Sequence, residues 1–260
     1  MEIPKDHPRA QSLIIREKLI EGMHKNIVAE AGLIAHGRGE AFDYLFGEKT
    51  PKFALDQQKA AVALLLTAKK PVLSINGNVA ALCSAELIKL SEILNAPLEV
   101  NLFYRREERA KLVAEKLFQE GAKEVLGIDE EYFTAISELS HSRRVVDKRG
   151  IFSADVVFVP LEDGDRTMAL RKMGKKVIAV DLNPLSRTSI WSSITIVNNI
   201  IRSIPEMIET TTEFKKYSED KLTGIVQSFD NDKSLRVSLN YISKRLESLT
   251  ESTLDNIRNS

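Results

Sequence analysis

Short apolar runs alternate with longer helical segments through the middle of this chain. The clearest is the segment 154–160, ADVVFVP, in which a single aspartate interrupts an otherwise apolar run. A strand exposed on one face would alternate apolar and polar side chains, whereas a run of this kind is typical of a parallel strand buried on both faces. Strands that alternate with helices form a mostly parallel sheet with helices on both faces. We therefore predict an α/β fold of that kind.

The same patterns divide the chain into a sheet-forming core with a helical region at each end. No Gly-, Ser- or Pro-rich linker interrupts the sequence, so we predict a single domain over 1–260. Residues 1–70 and 199–260 are predicted to be helical extensions, with residues 23–30 in a helix, and residues 71–198 form the α/β core. We expect strands over 72–75, 98–103, 125–127, 154–160, 176–181 and 194–197, and helices over 54–69, 79–94, 107–120 and 167–173.

Composition argues against several classes of protein. Lys and Arg total 37 and Asp and Glu total 37, so the net charge is zero and gives no general attraction to nucleic acid or an anionic membrane. The single cysteine excludes an intrachain disulfide and a cysteine-based zinc site, and the four histidines lack the spacing of metal ligands. No apolar run reaches the ~20 residues of a membrane span, and the N-terminus lacks the apolar core of a signal peptide. We expect a cytoplasmic globular protein.

Polar side chains gather where the predicted strands end. They occupy residues 76–78, 162–166, 181–187 and 198–199. In an open parallel sheet, ligands bind beyond the carboxyl ends of the strands. Each segment also has a purely structural interpretation, as a turn or a helix cap. Their occurrence at four strand ends of one sheet favours a binding site.

The residue types at these strand ends are suited to a nucleotide. Asp181 can accept hydrogen bonds from the two ribose hydroxyls. Arg187 can hold a phosphate through two parallel N–H···O bonds, and Asn183 can bind a base edge or a ribose through its amide. Asn198 and Asn199 begin a predicted helix, where free backbone N–H groups and the helix dipole favour an anion. The strand ends therefore indicate nucleotide binding.

A glycine-rich segment, residues 32–40, precedes the predicted sheet. Two of its glycines have the spacing of a P-loop, but the Lys and Ser/Thr positions of that motif hold Arg38 and Gly39, and no strand precedes it. We therefore reject a P-loop, and the lack of a complete G-x-G-x-x-G leaves a nicotinamide dehydrogenase unsupported. Arg38 remains a candidate anion contact, beside His36 and Glu40, because flanking glycines let a ligand approach the backbone closely.

Segments along nearly the whole chain carry a resemblance to a known family. They are IPKDHPR (3–9), REKLIEGM (16–23), AGLIAHGRGEAFDYL (31–45), NGNVAAL (76–82), NLFYR (101–105), ADVVFVPLEDGDRT (154–167), DLNPLSR (181–187) and TIVNNI (195–200). With these motifs the sequence resembles the archaeal phosphopantothenate synthetases, also called 4-phosphopantoate–β-alanine ligases. The resemblance implies a Rossmann-like fold, a homodimer and a reaction of coenzyme A biosynthesis. In that reaction ATP, (R)-4-phosphopantoate and β-alanine give 4-phosphopantothenate, AMP and diphosphate.

The resemblance also implies a set of ATP contacts, several of which the strand ends indicate independently. It places Arg16 in the site, although a lone arginine on a helix is more often a surface residue. Mg²⁺ is expected to be held mainly by the ATP phosphates, with Asp163 or Asp165 assisting through water. The implied ATP contacts are Arg16, Arg38, Asp181, Leu182, Asn183, Arg187, Thr188, Asn198 and Asn199.

The implied chemistry is the formation of an acyl adenylate, from which the β-alanine amine displaces AMP. Arg38 would stabilise the charge that develops on the phosphate, and His36 or Glu40 is the candidate base for the β-alanine ammonium. Two alternatives stay open, namely a nucleotide-binding regulatory module without catalysis and a structural dimer with a vestigial site. Candidates for the phosphopantoate site are Asn76, Gly77, Asn78 and Arg105.

Overall fold

The structure, a computed structural model, describes residues 4, 9–137, 139, 144–161 and 163–248. Its strands are β1 (Pro71–Ile75), β2 (Leu98–Val100), β3 (Val125–Leu126), β4 (Phe133–Ala135), β5 (Val145–Asp147), β6 (Val156–Pro160), β7 (Lys176–Val180) and β8 (Ile194–Ile196). Its α-helices are α1 (Ala10–His24), α2 (Glu30–Phe46), α3 (Lys52–Leu66), α4 (Gly77–Leu94), α5 (Glu107–Gln119), α6 (Gly164–Lys172), α7 (Arg187–Trp191), α8 (Ile200–Phe214), α9 (Glu219–Ser228) and α10 (Asn231–Glu247).

Six of these strands form one parallel sheet in the order β3-β2-β1-β6-β7-β8. The chain enters the sheet at β1, runs to one edge through β2 and β3, and returns to β6 before it runs to the other edge. The strand order therefore reverses between β1 and β6, which is where open α/β sheets bind ligands. The predicted α/β fold with a mostly parallel, Rossmann-like sheet is confirmed.

The two faces of the sheet are covered by different elements. Along β6, Val156 and Phe158 belong to the larger apolar cluster, in which α3, α4, α5 and α8 cover one face. Val157 and Val159 belong to a second cluster on the other face, with apolar residues of α6 and of the β3–β6 connection. Both sets of side chains are almost completely buried. The continuous apolar run of this strand thus reflects burial on both faces.

The connection from β3 to β6 contains an antiparallel hairpin, β4 and β5, that the sequence analysis did not predict. Its strands are three residues long, which is too short for apolar periodicity to distinguish them from a loop. Val146 of β5, together with Ile136 and Ile151 beside the hairpin, packs in the cluster on the α6 face. That face is therefore covered partly by a hairpin, whereas we predicted helices alone.

The helical regions agree with the prediction except at one turn. Residues 23–30 are not one helix, because α1 ends at His24 and a turn over 25–29 precedes α2. Asn26 has a left-handed backbone conformation, with φ of 57°, and Ala29 is extended, so the helix cannot continue through them.

The predicted extensions are helical as far as they are described, through α1–α3 and α8–α10, while residues 1–3, 5–8 and 249–260 lie outside the described residues. The short helix α7 was not predicted, and β2 ends at Val100 rather than at residue 103. Across the described ranges, no helix combines the length and the apolar character that crossing a bilayer requires.

Candidate active site

The polar segments that follow β1, β6, β7 and β8 lie at one edge of the sheet. The strand registers align Leu73 of β1 with Phe158 of β6, and Pro160 of β6 with Val180 of β7, which in turn pairs with Ile196 of β8. Because these strands are parallel, they end at about the same level. The structure thus places the predicted polar strand ends side by side.

Four helices begin at this edge, and a side chain caps each of them. Oxygens of Asn76, Asp163, Ser186 and Asn199 accept hydrogen bonds from backbone N–H groups in the first turns of α4, α6, α7 and α8, respectively. All four residues belong to the polar strand-end segments of the sequence analysis, because Asn, Asp and Ser are favoured at N-caps. The remaining first-turn N–H groups and the helix dipoles make the edge suitable for an anion.

Asn76 joins the two central strands at the point where the strand order reverses. Its amide nitrogen donates to the carbonyl oxygens of Pro160 and Leu161, at 2.9 and 3.1 Å. Its amide oxygen accepts from the backbone N–H of Val79 at 3.1 Å. In this structure Asn76 therefore connects β1, α4 and the end of β6, and its contact with a substrate stays a prediction.

The start of α4 packs closely against the turn between α1 and α2. A Cβ atom on Gly77 would lie 2.2 Å from the carbonyl oxygen of Ile27, so only glycine fits there without a backbone shift. The amide nitrogen of Asn78 donates to the carbonyl oxygen of Gly32 at 2.9 Å. Gly77 and Asn78 therefore hold the N-terminal helices in place, and a role of either residue in binding phosphopantoate also stays a prediction.

Helix α2 crosses the carboxyl edge of the sheet. Near its start, Gly32 contacts Asn78 of α4, and a Cβ atom on Gly39 would lie 3.6 Å from the side chain of Leu182 after β7. Farther along, the amide nitrogen of Asn199 donates to the carboxylate of Asp43 in α2 at 2.8 Å. The helix thus contacts the segments after β1, β7 and β8, and it brings its residues 36, 38 and 40 to them.

Arg38 is exposed on α2, and the described residues give it no hydrogen bond or ion pair. Its charge acts on the buried Asp181: burial raises the pKa of the Asp181 carboxyl, while the Ser186 hydroxyl, the Asn183 N–H and Arg38 oppose that rise. An arginine at this edge that none of the described residues pairs with remains available for an anionic ligand.

Arg16 and Glu40 are already paired with each other. Both guanidinium nitrogens Nε and Nη2 of Arg16 donate to the Glu40 carboxylate at 2.9–3.2 Å, and the Tyr44 hydroxyl donates to it at 3.0 Å. His36 lies one turn before Glu40 on α2, is partly buried and lines a small pocket with Glu40 and Asn199. Burial lowers the pKa of the His36 imidazole, and the charge of Glu40 opposes that change.

A buried ion pair that the sequence analysis missed joins α2 to α8. The Arg202 guanidinium nitrogens Nη1 and Nη2 donate to the two carboxylate oxygens of Asp43 at 3.1 and 2.5 Å. Arg202 also donates to the side-chain oxygen of Asn198 at 3.1 and 3.2 Å. Asn198 and Asn199 are therefore held by Arg202 and Asp43. The signal in the sequence is the position of Arg202 in the first turn of α8, four residues after Asn198.

The segment after β7 is a turn ordered by its own side chains. The Asp181 carboxylate accepts from the backbone N–H of Asn183 at 2.9 Å and from the Ser186 hydroxyl at 2.5 Å. The Asn183 side chain accepts from the backbone N–H of Leu185 at 2.9 Å. Leu182 packs in an apolar cluster with side chains of α2, α3 and α10. The turn is therefore preformed, which lowers the entropy lost when a ligand binds to it.

Helices α6 and α7 meet at their N-termini. A Cβ atom on Gly164 would lie 2.3 Å from the Cβ of Arg187, so glycine allows this close approach. Arg187 and Asp165 form an ion pair of 2.6 Å, in which both side chains are more than half exposed. Thr188 is buried, and its carbonyl oxygen accepts from Ser192. Residue 162, in the predicted segment 162–166, lies outside the described residues.

Arg105 follows β2, on the other side of the strand-order reversal. Its guanidinium donates to the carbonyl oxygen of Gly127 at 2.9 Å and lies over the Phe133 ring, 4.6 Å from the centroid. Burial lowers the pKa of Arg105, and the nearby charge of Glu99 opposes that change. Its Nη1 atom is buried and has no hydrogen-bond partner within the described part of the chain.

This edge can bind a polyanionic substrate. Three arginines there are paired in the structure, Arg16 with Glu40, Arg187 with Asp165 and Arg202 with Asp43. Exposed ion pairs such as that of Arg187 contribute little to stability, so exchanging Asp165 for a phosphate costs little. Arg38 can bind a phosphate without giving up an ion pair with any of the described residues. The helix N-termini and these arginines together are suited to phosphate groups at two neighbouring positions.

Comparison with known proteins gives matches along nearly the entire chain. The 4-phosphopantoate–β-alanine ligase of Thermococcus kodakarensis is 54% identical over 252 residues, which cover 96% of both chains. Its namesake from Methanosarcina mazei is 47% identical over 252 residues, which cover 97% of this chain and 98% of the relative. The profile of the family described as phosphopantothenate/pantothenate synthetase matches residues 53–245. These matches confirm the resemblance inferred from the motifs, and the chain belongs to the phosphopantothenate/pantothenate synthetase family.

Proposed function

We propose that this chain ligates (R)-4-phosphopantoate to β-alanine at the expense of ATP, with release of AMP and diphosphate, as a step of coenzyme A biosynthesis. The observation that carries the proposal is the convergence, at one sheet edge, of four capped helix N-termini with Arg38, which pairs with none of the described residues. Such an edge is suited to a triphosphate and to a second phosphorylated substrate. The relatives that bear the name of this activity align over nearly the full chain.

The reaction proceeds in two steps. A carboxylate is a poor acyl donor, so a carboxylate oxygen of phosphopantoate first attacks the α-phosphorus of ATP. The bond from that phosphorus to the diphosphate oxygen breaks, and an acyl adenylate forms. The deprotonated amine of β-alanine then attacks the acyl carbon, and AMP leaves. Arg38 stabilises the charge that develops on the phosphate oxygens, and the site contributes further by aligning three reactants.

The nucleotide occupies the β7–β8 side of the edge, and the phosphopantoate occupies the β1–β2 side. The preformed turn after β7 offers Asp181 to a ribose, because each of its oxygens keeps a free lone pair in the hydrogen bonds described above. Arg105 offers its buried Nη1 atom to the second phosphate. The proposed ATP contacts are Arg16, Arg38, Asp181, Leu182, Asn183, Arg187, Thr188, Asn198 and Asn199, and the proposed phosphopantoate contacts are Asn76, Gly77, Asn78 and Arg105.

Magnesium enters this proposal with the nucleotide. Within the described part of the chain, no three His, Cys, Asp or Glu side chains are arranged to ligate a metal ion. Asp163 caps α6, and Asp165 pairs with Arg187. We therefore assign the ion to the ATP phosphates, with Asp163 or Asp165 reached through a water molecule. When bound, it neutralises phosphate charge.

His36 is the stronger candidate for the base, because Glu40 is held by Arg16 and Tyr44. Burial keeps the pKa of His36 below its ordinary value of 6.5, so the neutral, proton-accepting imidazole prevails at pH 7. We expect kcat to fall as the pH decreases through that pKa, which gives the pH profile an acid limb. His36→Gln should lower kcat about a hundredfold and abolish this limb. A pH profile of His36→Gln that keeps the limb would remove His36 from the mechanism and leave Glu40 to be tested by Glu40→Gln.

The proposal includes a homodimer in the cytoplasm. The exposed fractions of Leu185, in the turn before α7, and of Ile190 and Trp191, at the end of α7, are 60%, 55% and 42%. Neighbouring exposed apolar side chains indicate an interaction surface. A second copy of the chain is the partner that the family resemblance implies.

One assay tests the proposed function against its alternatives. The purified chain is given ATP, 4-phosphopantoate and β-alanine, and AMP, diphosphate and 4-phosphopantothenate are measured. We expect the three products in equal amounts. Without 4-phosphopantoate none should form, and without β-alanine the reaction should stop at the acyl adenylate, after about one diphosphate per site and with no AMP. ATP binding without AMP would instead favour a regulatory module, and no ATP binding would favour a vestigial site. ADP and phosphate in place of AMP and diphosphate would contradict the acyl adenylate.

A further inference from the structure

A buried carboxylate of the sheet holds the connection that contains the hairpin. Glu99 of β2 is completely buried, and its two oxygens accept hydrogen bonds from the backbone N–H groups of Asp147 and Ile151, at 2.9 and 2.5 Å. A Cβ atom on Gly150 would lie 2.1 Å from the Glu99 carboxylate, so the backbone closes directly around it. The carboxylate thus fastens two points of one loop to β2.

The burial of a carboxylate is unfavourable unless its hydrogen bonds compensate. Here burial raises the pKa of Glu99 to about 7, while the two backbone N–H groups and the charge of Arg166 oppose that rise. An apolar side chain at this position of β2 would avoid that cost. Glu99 is therefore better explained by what it holds than by its contribution to stability.

Hydrogen bonds lead from Glu99 to the arginine proposed to bind the phosphopantoate phosphate. Asp147, whose N–H is bound to Glu99, accepts through Oδ2 from the backbone N–H of Gly127 at 3.3 Å. The carbonyl oxygen of Gly127 in turn accepts from Nη2 of Arg105 at 2.9 Å. Asp147 cannot rotate away, because Arg149 donates to both of its oxygens at 2.8–3.0 Å. Hydrogen bonds thus connect Glu99, Asp147, Gly127 and Arg105 in that order.

We propose that Glu99 is a positioning residue for the binding of 4-phosphopantoate. Glu99 acts by fixing Asp147 and Gly127, and thereby the guanidinium of Arg105. The proposal rests on the function proposed above and on the assignment of Arg105 to 4-phosphopantoate. The orientation of Arg105 matters because Nη2 is held by the carbonyl oxygen of Gly127, so the angle of the guanidinium plane decides where Nη1 points. Small displacements of such a group cost large factors in binding or rate.

The test compares how a substitution changes the KM for 4-phosphopantoate and the KM for ATP in the full-length enzyme. Glu99→Gln keeps one acceptor oxygen but turns an NH₂ group toward a backbone N–H, so the loop should shift. We expect the KM for 4-phosphopantoate to rise about tenfold and the KM for ATP to stay within about twofold. Glu115→Gln, at an exposed position of α5, is the matched control and should change neither KM.

A double-mutant cycle separates positioning from general loosening of the fold. If Glu99 acts through Arg105, Glu99→Gln should raise the KM for 4-phosphopantoate in wild type but not further in Arg105→Ala. Additive effects, equal rises in both KM values, or an unchanged KM would each overturn the proposal. If Glu99→Gln fails to fold, Asp147→Asn tests the same series of hydrogen bonds. It should likewise raise the KM for 4-phosphopantoate and leave the KM for ATP nearly unchanged. A wild-type enzyme that forms no AMP would overturn the proposed function itself, which is a distinguishable result.

Discussion

Arg38→Ala is expected to lower kcat/KM for ATP by about a hundredfold or more, because it removes the charge that we propose stabilises the reacting phosphate. The melting temperature of the ligand-free protein should stay unchanged, since Arg38 is exposed and has no hydrogen bond or ion pair with the described residues. Steady-state kinetics and thermal unfolding of the same preparation check both parts. Arg38→Lys should recover only part of the activity, because a point charge cannot hold a phosphate by two parallel bonds.

The matched control for Arg38 is Arg236→Ala. Arg236 is also exposed on a helix, in α10, and lies outside the proposed site. Arg236→Ala should leave both the activity and the melting temperature unchanged. A fall in the melting temperature of Arg38→Ala would instead assign Arg38 a structural role. Unchanged kinetics with ATP would remove it from the site.

Asp43→Ala is expected to destabilise the protein by about 3 kcal/mol and to lower its melting temperature by roughly 10 °C. The side chains of Asp43 and Arg202 are only 7% and 14% exposed, so removal of the carboxylate leaves the Arg202 charge largely buried without its partner. Asn199 loses its acceptor as well, so the KM for ATP should increase. Thermal unfolding and the KM for ATP, measured well below the melting temperature, are the two readouts.

The double variant Asp43→Ala/Arg202→Met separates the orphaned charge from the lost contact. It should recover much of the stability that Asp43→Ala loses, because no unpaired charge remains buried. Glu21→Ala, which breaks the largely exposed Glu21–Lys25 pair, is the control and should leave the melting temperature nearly unchanged. Wild-type stability of Asp43→Ala would show that the ion pair contributes nothing to the attachment of α2.

The sheet, and the gathering of polar strand ends at one of its edges, could be predicted because both depend on local sequence. The continuous apolar run 156–159 is a direct consequence of burial on two faces, and residues such as Asn76 and Asn199 cap helices within a few positions of a strand end. Strand-to-helix transitions therefore marked the carboxyl edge without any knowledge of strand order. The contacts of these residues with substrates remain predictions.

The remaining features depend on contacts between distant parts of the chain. The pair Asp43–Arg202 joins residues separated by 159 positions, and Glu99 reaches Asp147 and Ile151 across 48 and 52 positions. Nothing near Glu99 in sequence distinguishes it from an exposed charge within a strand. The hairpin strands β4 and β5 are likewise too short to produce a period, and only their pairing makes them strands.

The ion pair between α2 and α8 has a consequence during synthesis on the ribosome. Asp43 leaves the exit tunnel long before its partners Asn199 and Arg202, which lie 156 and 159 residues downstream. Until they emerge, α2 has no charged group of α8 to dock against, and the residues it carries stay apart from the β7 and β8 ends. The nascent chain therefore assembles the candidate site only late in translation, so we expect a prematurely terminated product that lacks α8 not to bind ATP there.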